Sequence, residues 1–153
     1  MRNYKQIIYG FIFYSQPVIY ILHNISKYFS EKGCSILSNL FWYWLYHKCH
    51  IIISPKAIIG KGVVFPHPMG IVIGDGVKIG ENVTIYQNVT IGRKYMNIDD
   101  YPIIEENVII YPNSVVAGKI LVRKNTVIGA NSVLLTDTEE NSVYVGNPAK
   151  RVK

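Results

Sequence analysis

The sequence has few cysteines and few charged residues, and both shortages exclude common classes of protein. Cys34 and Cys49 are its two cysteines. They show no CxxC or metal-type spacing, so we expect free thiols rather than a disulfide framework. The four histidines show no metal-ligand spacing either, and we expect no metal. Charged residues make up 17% and hydrophobic residues 49% of the 153 positions, a balance that supports a buried core and excludes a disordered chain.

A dense basic stripe and a long apolar run are also missing. The net charge is +6, and residues 1–50 carry five basic residues against the single acid Glu31, without the clustering of a nucleic-acid binder. We therefore expect no nucleic-acid partner. The apolar stretch 7–22 is interrupted at Ser15, Gln16 and Pro17 and falls short of the roughly 20 residues that a membrane span needs. We expect neither a transmembrane helix nor a signal peptide.

From residue 53 onward, aliphatic residues recur every six positions, with two interruptions. The in-register positions are Ile53, Ile59, Phe65, Ile73, Ile79, Ile85, Ile91, Ile104, Ile110, Val116, Val122, Ile128 and Leu134. A period of six fits neither a helix nor simple strand alternation. It predicts a solenoid in which each hexapeptide forms one short strand and a corner.

Asparagine recurs at the predicted corners, where a turn with positive φ is expected. These asparagines are Asn82, Asn88, Asn107, Asn113, Asn125 and Asn131.

The two interruptions of the period mark candidate functional segments, because excursions in a repeat fold often carry the function. The first, between Phe65 and Ile73, contains Pro66-His67-Pro68-Met69-Gly70, and His67 is the only histidine of the repeat region. The second, between Ile91 and Ile104, loops out around residues 93–102.

Residues 1–52 lack the six-residue period. Apolar spacing predicts a helix over 36–49 and an earlier helix over 4–22, bent or broken near Pro17, with a turn around Gly33. The chain thus divides into a helical segment, 1–52, and a repeat domain with a C-terminal tail, 53–153. Aromatic residues are dense in the helical segment, which indicates subunit packing or peripheral membrane contact through residues 1–50. We expect a cytoplasmic protein, either free or at the inner face of the membrane.

Residues 65–92, FPHPMGIVIGDGVKIGENVTIYQNVTIG, resemble the signature of the serine acetyltransferase-like branch of hexapeptide-repeat acyltransferases. The repeats over 53–135 and the closing segment 145–153 are similar to that family as well. The resemblance implies a mainly β fold, a left-handed parallel β-helix of triangular section, assembled as a homotrimer. It also implies that acetyl-CoA lies in the groove between subunits and acetylates an acceptor hydroxyl.

The resemblance assigns His67 as the catalytic base. An alcohol needs a base within hydrogen-bond reach as it attacks a thioester, and imidazole titrates near the working pH. The positions that match the family's acetyl-CoA site are Gly92, Arg93, Pro112, Ala130, Lys150 and Lys153. A solvated tail is the alternative for the two terminal lysines.

Four positions at three sites depart from the pattern of true serine acetyltransferases. The acid fifteen residues before the catalytic histidine is replaced by Ile52, and the acid directly before it by Pro66. The Arg-His pair that contacts the amino acid is replaced by Asp100-Tyr101. A serine carboxylate needs a cation, so these departures favour a sugar or surface-polysaccharide precursor, free or lipid-linked, as the acceptor. Serine O-acetylation and a catalytically silent trimeric scaffold are the alternatives.

The acceptor is expected to contact Asp75, Asp99, Asp100 and Tyr101. Tyr101 could stack on a pyranose ring, and the aspartates could accept hydrogen bonds from sugar hydroxyls. A further hypothesis is that one of the three aspartates orients His67 in place of the missing acid, with a backbone carbonyl as the alternative.

Overall fold

The computed structural model describes residues 16–95 and 99–153, and it begins with two packed helices, α1 (Gln16–Glu31) and α2 (Ser35–Cys49). The prediction for α2 is confirmed. The predicted end of α1 at residue 22 is wrong, because no glycine or proline interrupts residues 18–32 and the helix continues until Gly33 turns the chain with a φ of +73°. Pro17 lies in the first turn of α1, where its missing N–H is no loss. The predicted start at residue 4 lies outside the described residues.

Helix α1 covers the first turn of the repeat domain. Ile19 is buried with Ile51 and Ile53 in the same core. The Gln16 side chain accepts a hydrogen bond from the Phe65 N–H at 2.9 Å, and the Tyr20 hydroxyl lies 3.0 Å from the Gly60 carbonyl oxygen. These contacts close the open end of the solenoid, as capping units do in repeat proteins.

The repeat domain is a parallel β-helix with three sides. Side A contains β1 (Ile52–Ile53), β3 (Val72–Ile73), β6 (Thr90–Gly92), β9 (Val115–Ala117) and β12 (Val133–Leu134). Side B contains β2 (Ile58–Ile59), β4 (Lys78–Ile79), β7 (Ile103–Ile104) and β10 (Leu121–Val122). Side C contains β5 (Thr84–Ile85), β8 (Ile109–Ile110), β11 (Val127–Ile128), β13 (Val143–Val145) and β14 (Lys150–Arg151), the last antiparallel to β13.

The six-residue period has the predicted physical cause. In β1 and in β3 to β12 the second residue of the strand, such as Ile85, Ile91 or Ile110, points inward and is buried. Ile59 of β2 is half-buried against the same core. All six predicted corner asparagines have positive φ, between 55° and 60°. Asn88, Asn113 and Asn131 also form a ladder along one corner, with amide-to-carbonyl distances of 3.0 and 3.1 Å.

The two excursions leave the solenoid at different corners. Residues 66–71 connect side C to side A between the first two coils, whereas residues 93–102 connect side A to side B in the third coil. Within residues 16–95 and 99–153, no helix has the length and apolar content to cross a membrane. Peripheral membrane contact stays a prediction.

Candidate active site

His67 lies on an exposed loop at the corner between sides C and A. The loop backbone is fixed by the Gly70 N–H, which donates to the His50 carbonyl at 2.9 Å. A Cβ on Gly70 would lie 2.2 Å from the Asn88 amide oxygen, and its φ is +66°, so only glycine fits there. Pro66 and Pro68 stiffen the loop on both sides of the histidine. The imidazole is therefore exposed on a rigid support.

The environment of the His67 ring is aromatic rather than acidic. Its ring centroid lies 6.3 Å from that of Tyr86, which stacks on Tyr111 at 5.2 Å. In the described part of the chain, no carboxylate forms an ion pair with His67. Ile52 is a half-buried strand residue, and Asp75 pairs with Lys56 at 3.9 Å at the corner between sides A and B. Within one chain, Asp75 does not reach His67.

Three predicted site residues line the corner that carries His67, and a fourth lies beside its far end. We name this corner the His67 edge (residues 66–71, 86–88, 111–113, 129–131 and 146). Backbone hydrogen bonds stack these turns, with Asn88 N–H donating to Met69 and Asn131 N–H to Pro112. His67, Pro112 and Ala130 therefore follow one another along the edge. Lys150 in β14 pairs with Val145 beside the far end of this edge, and it lies five strand spacings, or about 24 Å, from His67.

The other predicted co-substrate residues lie elsewhere. Gly92 and Arg93 stand at the corner between sides A and B. Lys153 lies at the opposite end of β13, where its carbonyl accepts a hydrogen bond from the Val143 N–H at 3.0 Å. The edge thus carries His67, Pro112 and Ala130, with the cation Lys150 beside its far end. This order could accommodate a long ligand with an anionic end.

A second cluster forms a cleft of about 430 Å³ beside residues 93–102, which we name the loop cleft. It is lined by Lys56, Lys78 and Lys119, by Asp75 and Asp99, and by Gly76, Tyr101 and Ile103. Sequence reasoning placed Asp75, Asp99 and Tyr101 in an acceptor site, and the structure brings these three together. It missed the lysines, because they are far apart in the chain and only the coiling of the β-helix makes them neighbours.

Tyr101 is a wall of the loop cleft rather than a free platform. A Cβ on Gly76 would lie 2.3 Å from Tyr101 Cδ2, and a Cβ on Gly74 would lie 3.1 Å from Cε1. The ring therefore packs on the turn made by these two glycines and against the core. This packing leaves less of the ring for stacking on a sugar than the sequence suggested.

Asp100 does not line the loop cleft. Its side chain is buried, with Oδ2 3.9 Å from the point where a Cβ on Gly118 would stand, and Oδ1 has no hydrogen-bond partner. Its negative charge is therefore turned away from the cleft. The electrostatic objection to a serine carboxylate, which rested on Asp100, does not apply to this geometry.

Comparisons with known proteins agree on one fold. Residues 101–136 match the family model of the bacterial transferase hexapeptide (six repeats). The chain is 33% identical over 148 residues to a serine acetyltransferase of Buchnera aphidicola subsp. Acyrthosiphon pisum, with 91% of this chain and 54% of the relative covered. It is 38% identical over 146 residues to a serine acetyltransferase of Staphylococcus aureus, with 92% and 63% covered.

Solved structures give the same result. A serine acetyltransferase in complex with CoA superposes with a TM-score of 0.82 at 32% identity, covering 88% of this chain and 55% of that one. Soybean serine acetyltransferase complexed with serine superposes with a TM-score of 0.83 at 30% identity, covering 88% and 56%. The chain thus spans between about half and just under two thirds of the length of these relatives.

These comparisons confirm the predicted left-handed β-helix and correct the predicted acceptor. The sugar or surface-polysaccharide reading is wrong, because the relatives and structural neighbours are serine acetyltransferases. The physical reason is that Asp100 is buried outside the loop cleft, and the cleft contains three lysines against the two aspartates Asp75 and Asp99. The chain therefore has the hexapeptide-repeat transferase fold and is similar in sequence and in structure to serine acetyltransferases.

Proposed function

We propose that the protein is an acetyl-CoA-dependent O-acetyltransferase whose acceptor is the hydroxyl of serine. The observation that carries the proposal is the superposition of 88% of the chain on a serine acetyltransferase in complex with CoA. The His67 edge suits that co-substrate, because Pro112, Ala130 and Lys150 lie at increasing distance from His67 in one direction along the solenoid. A lysine near the far end can pair with a phosphate.

His67 is the proposed general base. Acetyl-CoA supplies the acetyl group as a thioester. The His67 imidazole takes the proton of the serine hydroxyl as the oxygen forms its bond to the acetyl carbon. The resulting imidazolium then gives that proton to the departing sulfur as the carbon–sulfur bond breaks, so the base is regenerated. His67 exposes its ring at a fixed point for both proton transfers.

We propose a homotrimer, because a single chain separates the two halves of the site. His67 and the loop cleft lie at opposite edges of side A, so the base of one subunit can meet only the cleft of another. Contact between two different surfaces is heterologous and closes into a ring when the rotation allows. Three subunits are typical of the family. Asp99 and Tyr101 of the loop cleft would then face the His67 edge of the neighbouring subunit.

The test is an acceptor panel with the full chain. Purified protein is incubated with acetyl-CoA and serine, UDP-sugars or oligosaccharides, while free thiol and the acetylated product are measured. We expect CoA release that depends on serine and yields O-acetylserine. Preferred acetylation of a sugar would contradict serine as the acceptor. No thioester cleavage with any acceptor would support a silent scaffold.

A further inference from the structure

We propose that Lys78 and Lys119 in the loop cleft bind the carboxylate of the acceptor amino acid. This inference rests on the proposed function and assigns the specificity of its acceptor site. An amino-acid carboxylate needs a cation, and the chain has Asp100-Tyr101 where serine acetyltransferases have an Arg-His pair. The two lysines supply the missing charge from different elements of the fold.

The two lysines lie on opposite sides of Ile103. Lys78 in β4 pairs in register with Ile103 in β7. Lys119 directly precedes Ile120, whose carbonyl accepts the Ile103 N–H at 2.9 Å. Adjacent strands are about 4.8 Å apart, so the lysines stand one coil before and one coil after the cleft floor. Two flexible ammonium groups can therefore converge on one anion over Ile103.

Both lysines are available to a ligand. Lys78 and Lys119 are exposed, and neither forms an ion pair with any described residue. Lys56, the third cation of the cleft, already pairs with Asp75 at 3.9 Å. The unpaired positive charge of the cleft thus resides on Lys78 and Lys119, which is why these two are assigned and Lys56 is not.

The cleft also offers a counter-charge for an ammonium group. Asp99 is exposed and lines the same cleft, whereas Asp100 is buried behind it. Charges of both signs in one cleft suit a zwitterionic amino acid, whose carboxylate and ammonium each need an opposite partner. A neutral sugar would leave both lysines without a partner.

The experiment compares two acceptors that differ only in the carboxylate. L-Serine and L-serinamide are tested with wild type, Lys78→Gln, Lys119→Gln and the double variant. Loss of one charge-assisted hydrogen bond should raise the KM for serine about tenfold in each single variant, with little change in kcat because the contact persists in the transition state. The KM for serinamide should not change. Lys119→Arg should retain serine binding, and Lys61→Gln, at the opposite corner between sides B and C, is the matched control.

Direct binding separates this inference from the proposed function. Serine binding is measured by calorimetry with each protein in the absence of acetyl-CoA. One outcome is that the lysine variants bind serine about tenfold more weakly than wild type, while wild type transfers no acetyl group to serine. This outcome would support the inference and refute the proposed function. Acetylation of serine that is insensitive to both substitutions would refute the inference and leave the function standing. An equal rise in the KM for serine and for serinamide would also overturn the inference, since it would indicate that the substitutions disturb the structure of the cleft.

Discussion

His67 combines exposure with a rigid support, and this combination is what a general base needs. Gly70 and the two flanking prolines fix the loop, so little entropy is lost when the ring meets an acceptor hydroxyl. The position of the family acid is occupied by Ile52, and no described carboxylate of the same chain forms an ion pair with His67. The proposed catalytic role therefore rests on position rather than on a charge partner.

The first prediction concerns His67 itself. His67→Ala should lower kcat for acetyl transfer by roughly 10²- to 10⁴-fold, because the hydroxyl loses its base. The affinity for CoA should change little, since the remaining residues of the His67 edge are intact. Stopped-flow thiol release and calorimetric CoA titration measure the two quantities. His47→Ala on the exposed surface of α2 is the control, and normal turnover by His67→Ala would refute the assignment.

Residues differ in how far the sequence alone predicts them. The corner asparagines are predictable because a positive φ selects asparagine or glycine wherever it occurs, and the structure confirms all six. Lys78 and Lys119 are not predictable, since each is an ordinary lysine until the coils bring both beside Ile103. For Asp100 the sequence identifies the residue but not the direction of its side chain. Its position in the motif is readable, but whether its carboxylate faces the cleft depends on packing against Gly118.

At the scale of elements, the strands are easier to predict than the helices. Each strand has one inward aliphatic residue at a fixed period, so sequence and structure agree from β1 to β12. Helix α1 has no such repeated signal. The helix ends where Gly33 permits a turn. The apolar spacing used for the prediction stops at residue 22, so it does not reveal that the helix continues through more polar residues to Glu31.

The junction between α1 and the β-helix contains a buried titratable group. His23 Nε2 lies 3.2 Å from the Ser54 carbonyl oxygen, and Nδ1 has no hydrogen-bond partner. Burial lowers the pKa of the His23 ring below its usual 6.5, and the nearby Lys27 lowers it further, against the opposing hydrogen bond to the Ser54 carbonyl. The folded state therefore favours neutral His23, whose Nε2–H donates a hydrogen bond to the Ser54 carbonyl oxygen.

The second prediction follows from this pKa. Because the unfolded chain binds the proton more readily, the His23 contribution to the free energy of unfolding is complete above pH 6.5 and is lost as pH falls below that value towards the folded pKa. Melting temperature should therefore decrease between about pH 7.5 and about pH 5.5. His23→Gln keeps a donor for Ser54 without titrating, so its melting temperature should depend less on pH.

A matched variant distinguishes His23 from the other histidines. His47→Gln removes an exposed histidine and should retain the wild-type pH dependence of the melting temperature. If the melting temperature of wild type and of His23→Gln falls equally with decreasing pH over this range, another titratable group governs the acid sensitivity.

At the scale of the whole molecule, one chain contains both halves of the proposed site but cannot join them. Side A separates the His67 edge from the loop cleft, and the rigid solenoid cannot bend to close that gap. The fold is predictable from the sequence because it follows a local repeat, and the proposed base is recognised from a local motif. The proposed complete site is not predictable in this way, because it requires two copies of the chain to meet.

The third prediction tests this assembly by complementation. His67→Ala retains an intact loop cleft, whereas Ile103→Trp should block the cleft with a large side chain at an exposed position and leave the His67 edge intact. Each variant alone should be inactive, but trimers assembled from an equal mixture should recover about one quarter of wild-type activity, because about one interface in four joins an intact base to an intact cleft. Light scattering verifies that the mixed species has the mass of a trimer. Activity that stays at the level of the separate variants, in a mixture shown to contain both chains, would place base and acceptor in the same subunit and refute the shared site.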